Sequence, residues 1–225
     1  MNNITSQWSN AAELYSNFIY TSKDQIFCKE FITNYYNNTK NMKILDAGCG
    51  NGIYTDILIK YGNSVIGCDG SSEMLKIAKF KYPFYQFDMV DLLDHIPYKN
   101  DMFDIVFCNL ALMDIDPIDN TISEFYKVIK KEGSFFFSIL HPAFYLANWE
   151  IDGKKIKNYI NPLVIEQQTP WGVTVHYHRS ISYYINKISD IGFSLTKIFE
   201  PNERKNMENR PDIPLFLFVE FKKCK

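Results

Sequence analysis

Apolar residues recur along the chain with two different periods, and the switches between them outline the fold. Over residues 1–40, Trp8, Ala11, Ala12, Tyr15, Phe18 and Ile19, then Ile26, Phe27, Phe31, Ile32 and Tyr35, fall at steps of three and four. That spacing predicts one or two amphipathic helices lying on a sheet edge. A short run at 43–45 predicts a buried strand, and 54–61 a helix that stops at Gly62. Further strands are predicted at 64–69, 84–88, 103–110 and 134–140. Between them lie a helix capped by Ser71 or Ser72 and another over 121–131, ended by Gly133. The run from Phe103 to Leu110 suits burial on both faces. Residues 143–178 break the alternation with an Asp152-Gly153 hairpin signal and a strand-like stretch from Trp171 to Arg179. A helix at 180–191, stopped by Gly192, and strands at 194–199 and 215–221 flank a polar loop. Alternating strands and helices predict an α/β protein with a mostly parallel sheet. The expected division is a helical cover (1–40), a sheet domain (41–142 with 179–225) and an inserted lid (143–178).

The most informative stretch is Ile44-Leu45-Asp46-Ala47-Gly48-Cys49-Gly50-Asn51-Gly52. Glycines on alternate positions let the backbone turn sharply and come close to a bound molecule. Strand, glycine turn and helix together predict a nucleotide-type site at the carboxyl edge of the sheet. The dinucleotide fingerprint is G-x-G-x-x-G, whereas here the third glycine comes one residue early. Asp46 beside the turn would repel a pyrophosphate and attract an ammonium or sulfonium group. Asp69 ends the next strand, about where a βαβ unit sets a carboxylate beside a ribose. Its two oxygens suit two sugar hydroxyls.

Segments 46–52, 69–75, 88 and 103–110, over about residues 40–140, resemble successive motifs of the class I S-adenosylmethionine-dependent methyltransferases of small-molecule type. The acid-x-Gly-x-Gly-x-Gly motif at 46–52 has no departure. The resemblance implies a Rossmann-like seven-stranded sheet of order 3-2-1-4-5-7-6, last strand antiparallel, with helices on both faces. It also implies S-adenosylmethionine as cofactor and S-adenosylhomocysteine as product. The cofactor would lie against Asp46, Ala47, Gly48 and Gly50, with Asp69 and Gly70 at the ribose and Met74 on the adenine face. Asp88, with Asp91 as competitor, would accept from the adenine amino group, and the Met89 amide would serve the ring. Asn109 and Leu110 would pass under the methionine part, and Tyr15 or Tyr20 would approach it from the N-terminal helix. Members that methylate amino groups of nucleic acids place an acid or asparagine, two prolines and an aromatic after the fourth strand. Only Asn109 is kept here, which argues against a flipped-out base as substrate.

A sulfonium methyl is already electrophilic, so the protein must align a nucleophile and exclude water; a hydroxyl or ammonium acceptor also needs a base. His141, His176, His178 and Asp114 are the candidate bases, with His141 best placed, at the tip of the fifth strand. Tyr145, Trp149, Trp171, His176, His178 and Arg179 are expected around the acceptor, with Arg179 able to hold a carboxylate or phosphate or to cap the lid in an ion pair. No metal-ligand spacing occurs. The 225 residues suit one domain with an elaboration, and the net charge of −2 gives no global attraction to nucleic acid. Five scattered cysteines fit a reducing cytoplasm, and no apolar run reaches membrane-spanning length. The expected partner is a small molecule, on a monomer or homodimer. The alternatives are an RNA- or protein-directed methyltransferase, which needs a basic groove with aromatic platforms, and a non-catalytic S-adenosylmethionine-binding module. A nicotinamide oxidoreductase is disfavoured by the glycine spacing and Asp46.

Overall fold

The computed structural model describes residues 3–144, 150–151, 154–155, 159–201 and 214–224. In chain order the strands are β1 (Lys43–Ala47), β2 (Ser64–Asp69), β3 (Gln86–Met89), β4 (Phe103–Asn109), β5 (Ile129–Leu140), β6 (Glu150–Ile151), β7 (Lys154–Lys155), β8 (Leu163–Thr169), β9 (Gly172–His178), β10 (Phe193–Phe199) and β11 (Phe216–Lys223). The helices are α1 (Asn3–Thr21), α2 (Lys23–Tyr36), α3 (Ile53–Lys60), α4 (Ser72–Lys81), α5 (Ile118–Val128) and α6 (Ile181–Ile191). Seven strands form one sheet in the order β10-β11-β5-β4-β1-β2-β3, parallel except for β11, as the family resemblance implied.

Period-two alternation assigns each strand residue to one of two cores. Leu45, Val106, Phe135, Phe137 and Leu217 pack with Phe125 of α5 and Ile188 of α6. Their chain neighbours Ile44, Phe107, Phe136, Phe216 and Phe218 pack with Ile32 of α2 and Leu58 of α3. Both faces of the sheet are therefore covered, which is why its strands carry apolar residues at successive positions.

Several boundaries differ from the sequence expectation. Of the one or two helices expected before β1, two form, because Ser22 ends the first and accepts from Gln25 N (3.4 Å) to cap the second. Helix α5 stops at Val128, and the strand begins at once with Ile129. Gly133 is no helix stop. It lies where β5 bulges opposite Phe103–Ile105, and a Cβ there would meet the Asp104 carbonyl oxygen at 2.8 Å. Strand β8, unanticipated, pairs antiparallel with β9 across Pro170 and Trp171. Strands β6 and β7 also pair antiparallel, and the Asp152-Gly153 turn lies outside the described residues. Among the described residues no helix is long and apolar enough to cross a membrane.

Candidate active site

A cleft opens at the carboxyl edges of β1, β2 and β4, under the first turns of α1. Gly48 forms its floor with φ +76°, and a Cβ there would sit 2.5 Å from Ala111 Cβ. Only glycine tolerates both that backbone conformation and that approach. Gly52 and Gly67 instead make room for the Phe87 ring, at 2.8 and 2.7 Å from a hypothetical Cβ, so they serve packing. Asp69, at the end of β2, accepts from Gly50 N (2.9 Å) through Oδ2 and from Ser71 N (2.8 Å) through Oδ1. Burial raises its carboxyl pKa above the usual range, and those two amides oppose the rise. The carboxylate is thus fixed in orientation, with acceptor capacity left on each oxygen. Ser71 also caps α4, accepting from Met74 N at 3.2 Å.

Helix α1 roofs the cleft. Ser9 Oγ meets Ser71 Oγ at 3.0 Å, and Ser16 Oγ reaches the Met74 sulfur at 3.9 Å. This docking brings Trp8 and Tyr15 over the floor. Leu110, just past β4, lies in the left-handed region at φ +53° and donates its amide to Ser138 O (3.0 Å). A leucine held there stores backbone strain at the edge of the cleft. The cleft holds about 730 Å³ of empty space, its open mouth included, within the range of small-molecule sites.

The comparisons with known proteins agree with this geometry. A family profile described as a methyltransferase domain matches residues 45–137. The solved S-adenosylmethionine-dependent methyltransferase of Mesorhizobium loti superposes with a TM-score of 0.68 and 27% identity, covering 82% of this chain and 92% of that one. Over residues 45–137 the chain carries a methyltransferase domain, set within the fold of the class I S-adenosylmethionine-dependent methyltransferases. Among curated relatives, the malonyl-[acyl-carrier protein] O-methyltransferase of Hamiltonella defensa is 32% identical over 61% of this chain and 52% of its own length. The ubiquinone biosynthesis O-methyltransferase of Pelagibacter ubique is 28% identical over 56% of this chain and 48% of its own. The chain therefore spans about half the length of these curated relatives.

The cleft suits the family's methyl donor. It combines a glycine floor, one fixed carboxylate, the thioether of Met74, the apolar Leu92 and Leu93, and two aromatic rings. Of the residues expected at the donor, Gly48, Gly50, Asp69, Gly70, Met74, Asn109, Leu110 and Tyr15 line it. Asp46, Ala47, Asp88 and Met89 do not. Strand register accounts for the two carboxylates: β1 sets Asp46 beside Gly67, and β3 sets Asp88 beside Cys68, each one residue short of its strand's end. Asp46 is buried and accepts from Thr55 Oγ1 at 2.6 Å, tying β1 to α3. Burial, against that hydrogen bond and with some help from Asp69, lifts its pKa to about 7. Asp88 accepts from the Tyr98 hydroxyl at 2.9 Å. Asp91 lines the cleft instead. Of the three carboxylates expected to converge on the donor, Asp69 lines the cleft and Asp46 and Asp88 do not, while Asp91 stands in the lining beside it. Tyr20 is exposed beside Lys81 and takes no part.

Asp114 lines the same cleft and is a junction. It accepts from Trp8 Nε1 at 3.0 Å and from Nδ1 of His176, so one buried carboxylate joins α1, the end of β4 and the β8–β9 hairpin. Burial pulls the His176 pKa down, but the charge and hydrogen bond of Asp114 outweigh it, and the net shift is upward. His141 is displaced from the role expected of it. It is 1% exposed, its Nδ1 accepts from Ala143 N (3.2 Å), and its Nε2 pairs with Glu200 at 2.7 Å. No ring lone pair is left for a substrate proton, and it lines neither the cleft nor the aromatic cavity below.

Arg179 is also committed internally. It donates to Ile115 O (2.6 Å) and Asp116 (2.7 Å), and its side chain is 1% exposed. That matches the ion pair expected as its other reading. His178 binds Tyr159 O at 2.8 Å. With His141 and His176, these two residues border a separate small cavity. Trp171 and His176 line a larger one, which shares Trp8, Tyr15 and Leu110 with the cleft. Tyr145 and Trp149 lie outside the described residues. The sequence reading missed Ile4, Thr5 and Trp8 as cleft residues. Only the helical spacing of Trp8 hinted at its inward position.

Proposed function

We propose that this chain catalyses methyl transfer from S-adenosylmethionine to a small-molecule acceptor, at oxygen, nitrogen or carbon. The observation that carries the reading is the cleft in which Gly48, Gly50, Asp69 and Asp91 meet Trp8 and Tyr15. When bound, S-adenosylmethionine supplies a methyl group made electrophilic by its sulfonium. Asp69 would accept from the ribose hydroxyls, and Asp91 from the adenine amino group. Met74, Leu92 and Leu93 would bury the base. Trp8 and Tyr15 would face the sulfonium, where each aromatic face contributes about 0.5–2 kcal/mol. Burial, with Cys28 and Asp114 nearby, raises the Tyr15 pKa far above neutrality, so its phenol stays uncharged and cannot serve as base. Helix α1 and the β8–β9 hairpin act as cover and lid, excluding water from the transfer. The names of the curated relatives support a small-molecule acceptor and O-methylation among the options.

Calorimetry tests the reading directly. S-adenosylhomocysteine should bind with measurable heat, and a nicotinamide dinucleotide should not. The reverse result would overturn it.

A further inference from the structure

Behind the donor cleft lies the second cavity, about 820 Å³ of empty space with its mouth included. It is walled by α1, the start of α2, the turn of the β8–β9 hairpin and the carboxyl end of the sheet. Trp8, Tyr15 and Leu110 form the partition it shares with the cleft. Its aromatic walls are braced against one another: Trp171 packs edge-on to Tyr15 at 5.1 Å and tilted on Phe18 at 4.7 Å, and Tyr15 packs on Trp8 at 5.0 Å. Val175 N donates to Gln7 at 2.7 Å, so the hairpin that carries Trp171 is held to α1 by the backbone as well.

We propose that this cavity receives the methyl acceptor, and that the acceptor is an uncharged aromatic compound bearing a hydroxyl or carbonyl oxygen. The proposal rests on the methyltransferase reading for the role of the occupant, and on three features of the cavity for its chemistry. The lining combines rings and aliphatic side chains, among them Trp8, Tyr15, Phe18 and Trp171, which favour a flat apolar body, with uncharged polar side chains at Ser22, Gln25 and 167–169. Among the described residues that line it there is no lysine or arginine, while Asp24 sits on its wall. A carboxylate or phosphate would be desolvated there with no counter-charge but the His176 imidazole, which already pairs with Asp114. Two lining residues hold a buried polar atom with no partner, Nε1 of Trp171 and Oε1 of Gln25. An indole N–H can only donate and an amide oxygen only accept. A hydroxyl satisfies either one, and a carbonyl satisfies Trp171. Buried polar groups otherwise find partners within the protein, so these two mark where a ligand's polar group belongs.

The test uses 1-naphthol as probe against the full chain, with 1-naphthoate as its anionic counterpart and naphthalene lacking the oxygen. Binding is followed by the indole N–H resonance of Trp171 in a ¹⁵N-labelled sample, assigned with Trp171→Phe. The expected result is a shift of that resonance by naphthol, with at least tenfold weaker binding of naphthoate. Trp171→Phe, which keeps a ring but removes the donor, should weaken naphthol binding about tenfold while naphthalene binding changes less than threefold. An unmoved Trp171 resonance, or naphthoate binding as tightly as naphthol, would overturn the proposal. S-adenosylhomocysteine titrated separately reports on the donor cleft. If it fails to bind while naphthol shifts Trp171, the methyltransferase reading falls and the ligand cavity stands. If it binds and naphthol does not, the acceptor proposal alone falls.

Discussion

The donor cleft and the cavity behind it share a wall but are built in opposite ways. The cleft is made by local chain: a glycine turn, the residue that ends β2, a capped helix and the turn after β3, each within a few residues of its strand. The cavity is made of distant segments: α1, the Pro170–Trp171 turn and the first residues of β11. Joining them is Asp114, which bonds Trp8 of α1 and His176 of β9. Local construction makes the floor of the cleft a property of the sheet, with only its α1 roof docked, whereas the whole cavity depends on docking. The two should therefore respond differently to substitution.

The largest effect is expected at Gly48. Gly48→Ala forces a Cβ to 2.5 Å from Ala111 at φ +76°. Overpacking and left-handed backbone together should cost roughly 2–4 kcal/mol of stability in urea unfolding, with donor-product binding lost. A wild-type midpoint would show that the loop relaxes freely.

Next comes Asp69→Asn, which keeps the side-chain shape but removes the charge facing the cleft. Binding of S-adenosylhomocysteine should weaken by about 1–3 kcal/mol, read by calorimetry. Unchanged affinity would remove Asp69 from the ribose.

The docking of the second region should depend on pH through His176. Its folded pKa lies above the unfolded value of about 6.5. The contribution of the Asp114 pair is therefore complete below that unfolded value and is lost as pH rises through the folded one. Asp114 and the Thr174 hydroxyl both face His176. The Trp171 indole resonance should track this titration, and Asp114→Asn should move the midpoint downward. A Trp171 signal insensitive to both would show that the hairpin docks without the ion pair.

The smallest effect is expected at Asp88. Asp88→Asn should change S-adenosylhomocysteine affinity by less than about twofold, since its carboxylate is engaged by Tyr98 outside the cleft; Asp91→Asn should exceed it, each lost hydrogen bond being worth about 1 kcal/mol. The opposite ranking would restore Asp88 to the site.

These contrasts show what was legible from the chain alone. Period-two and period-three-to-four patterns, the glycine turn and the capping serine are local signals, and they specified most of the elements and the glycine floor of the cleft; the sheet order came from the family resemblance. Boundaries went astray where a glycine had a tertiary reason, as at Gly133, whose missing Cβ answers to the Asp104 carbonyl on a neighbouring strand. Asp88 and Asp91 are chemically equivalent in sequence. Only the register of β3 on β2 decides which one reaches the edge. His141 had the right position for a base, but its lone pair was already committed to Ala143, two residues on.

By itself, then, the sequence determined the alternation of strands and helices and the glycine turn, because backbone propensity and burial pattern act within a few residues of each strand; the sheet order it implied only through the family resemblance. Tertiary structure alone decided that Trp8, Trp171 and Gln25 enclose a common cavity. It alone decided that His176 is held by Asp114, and that Arg179 is bonded to Ile115 and Asp116. Those contacts join residues far apart in the chain, and no local rule of spacing or propensity encodes which distant side chains will meet once both faces of the sheet are covered.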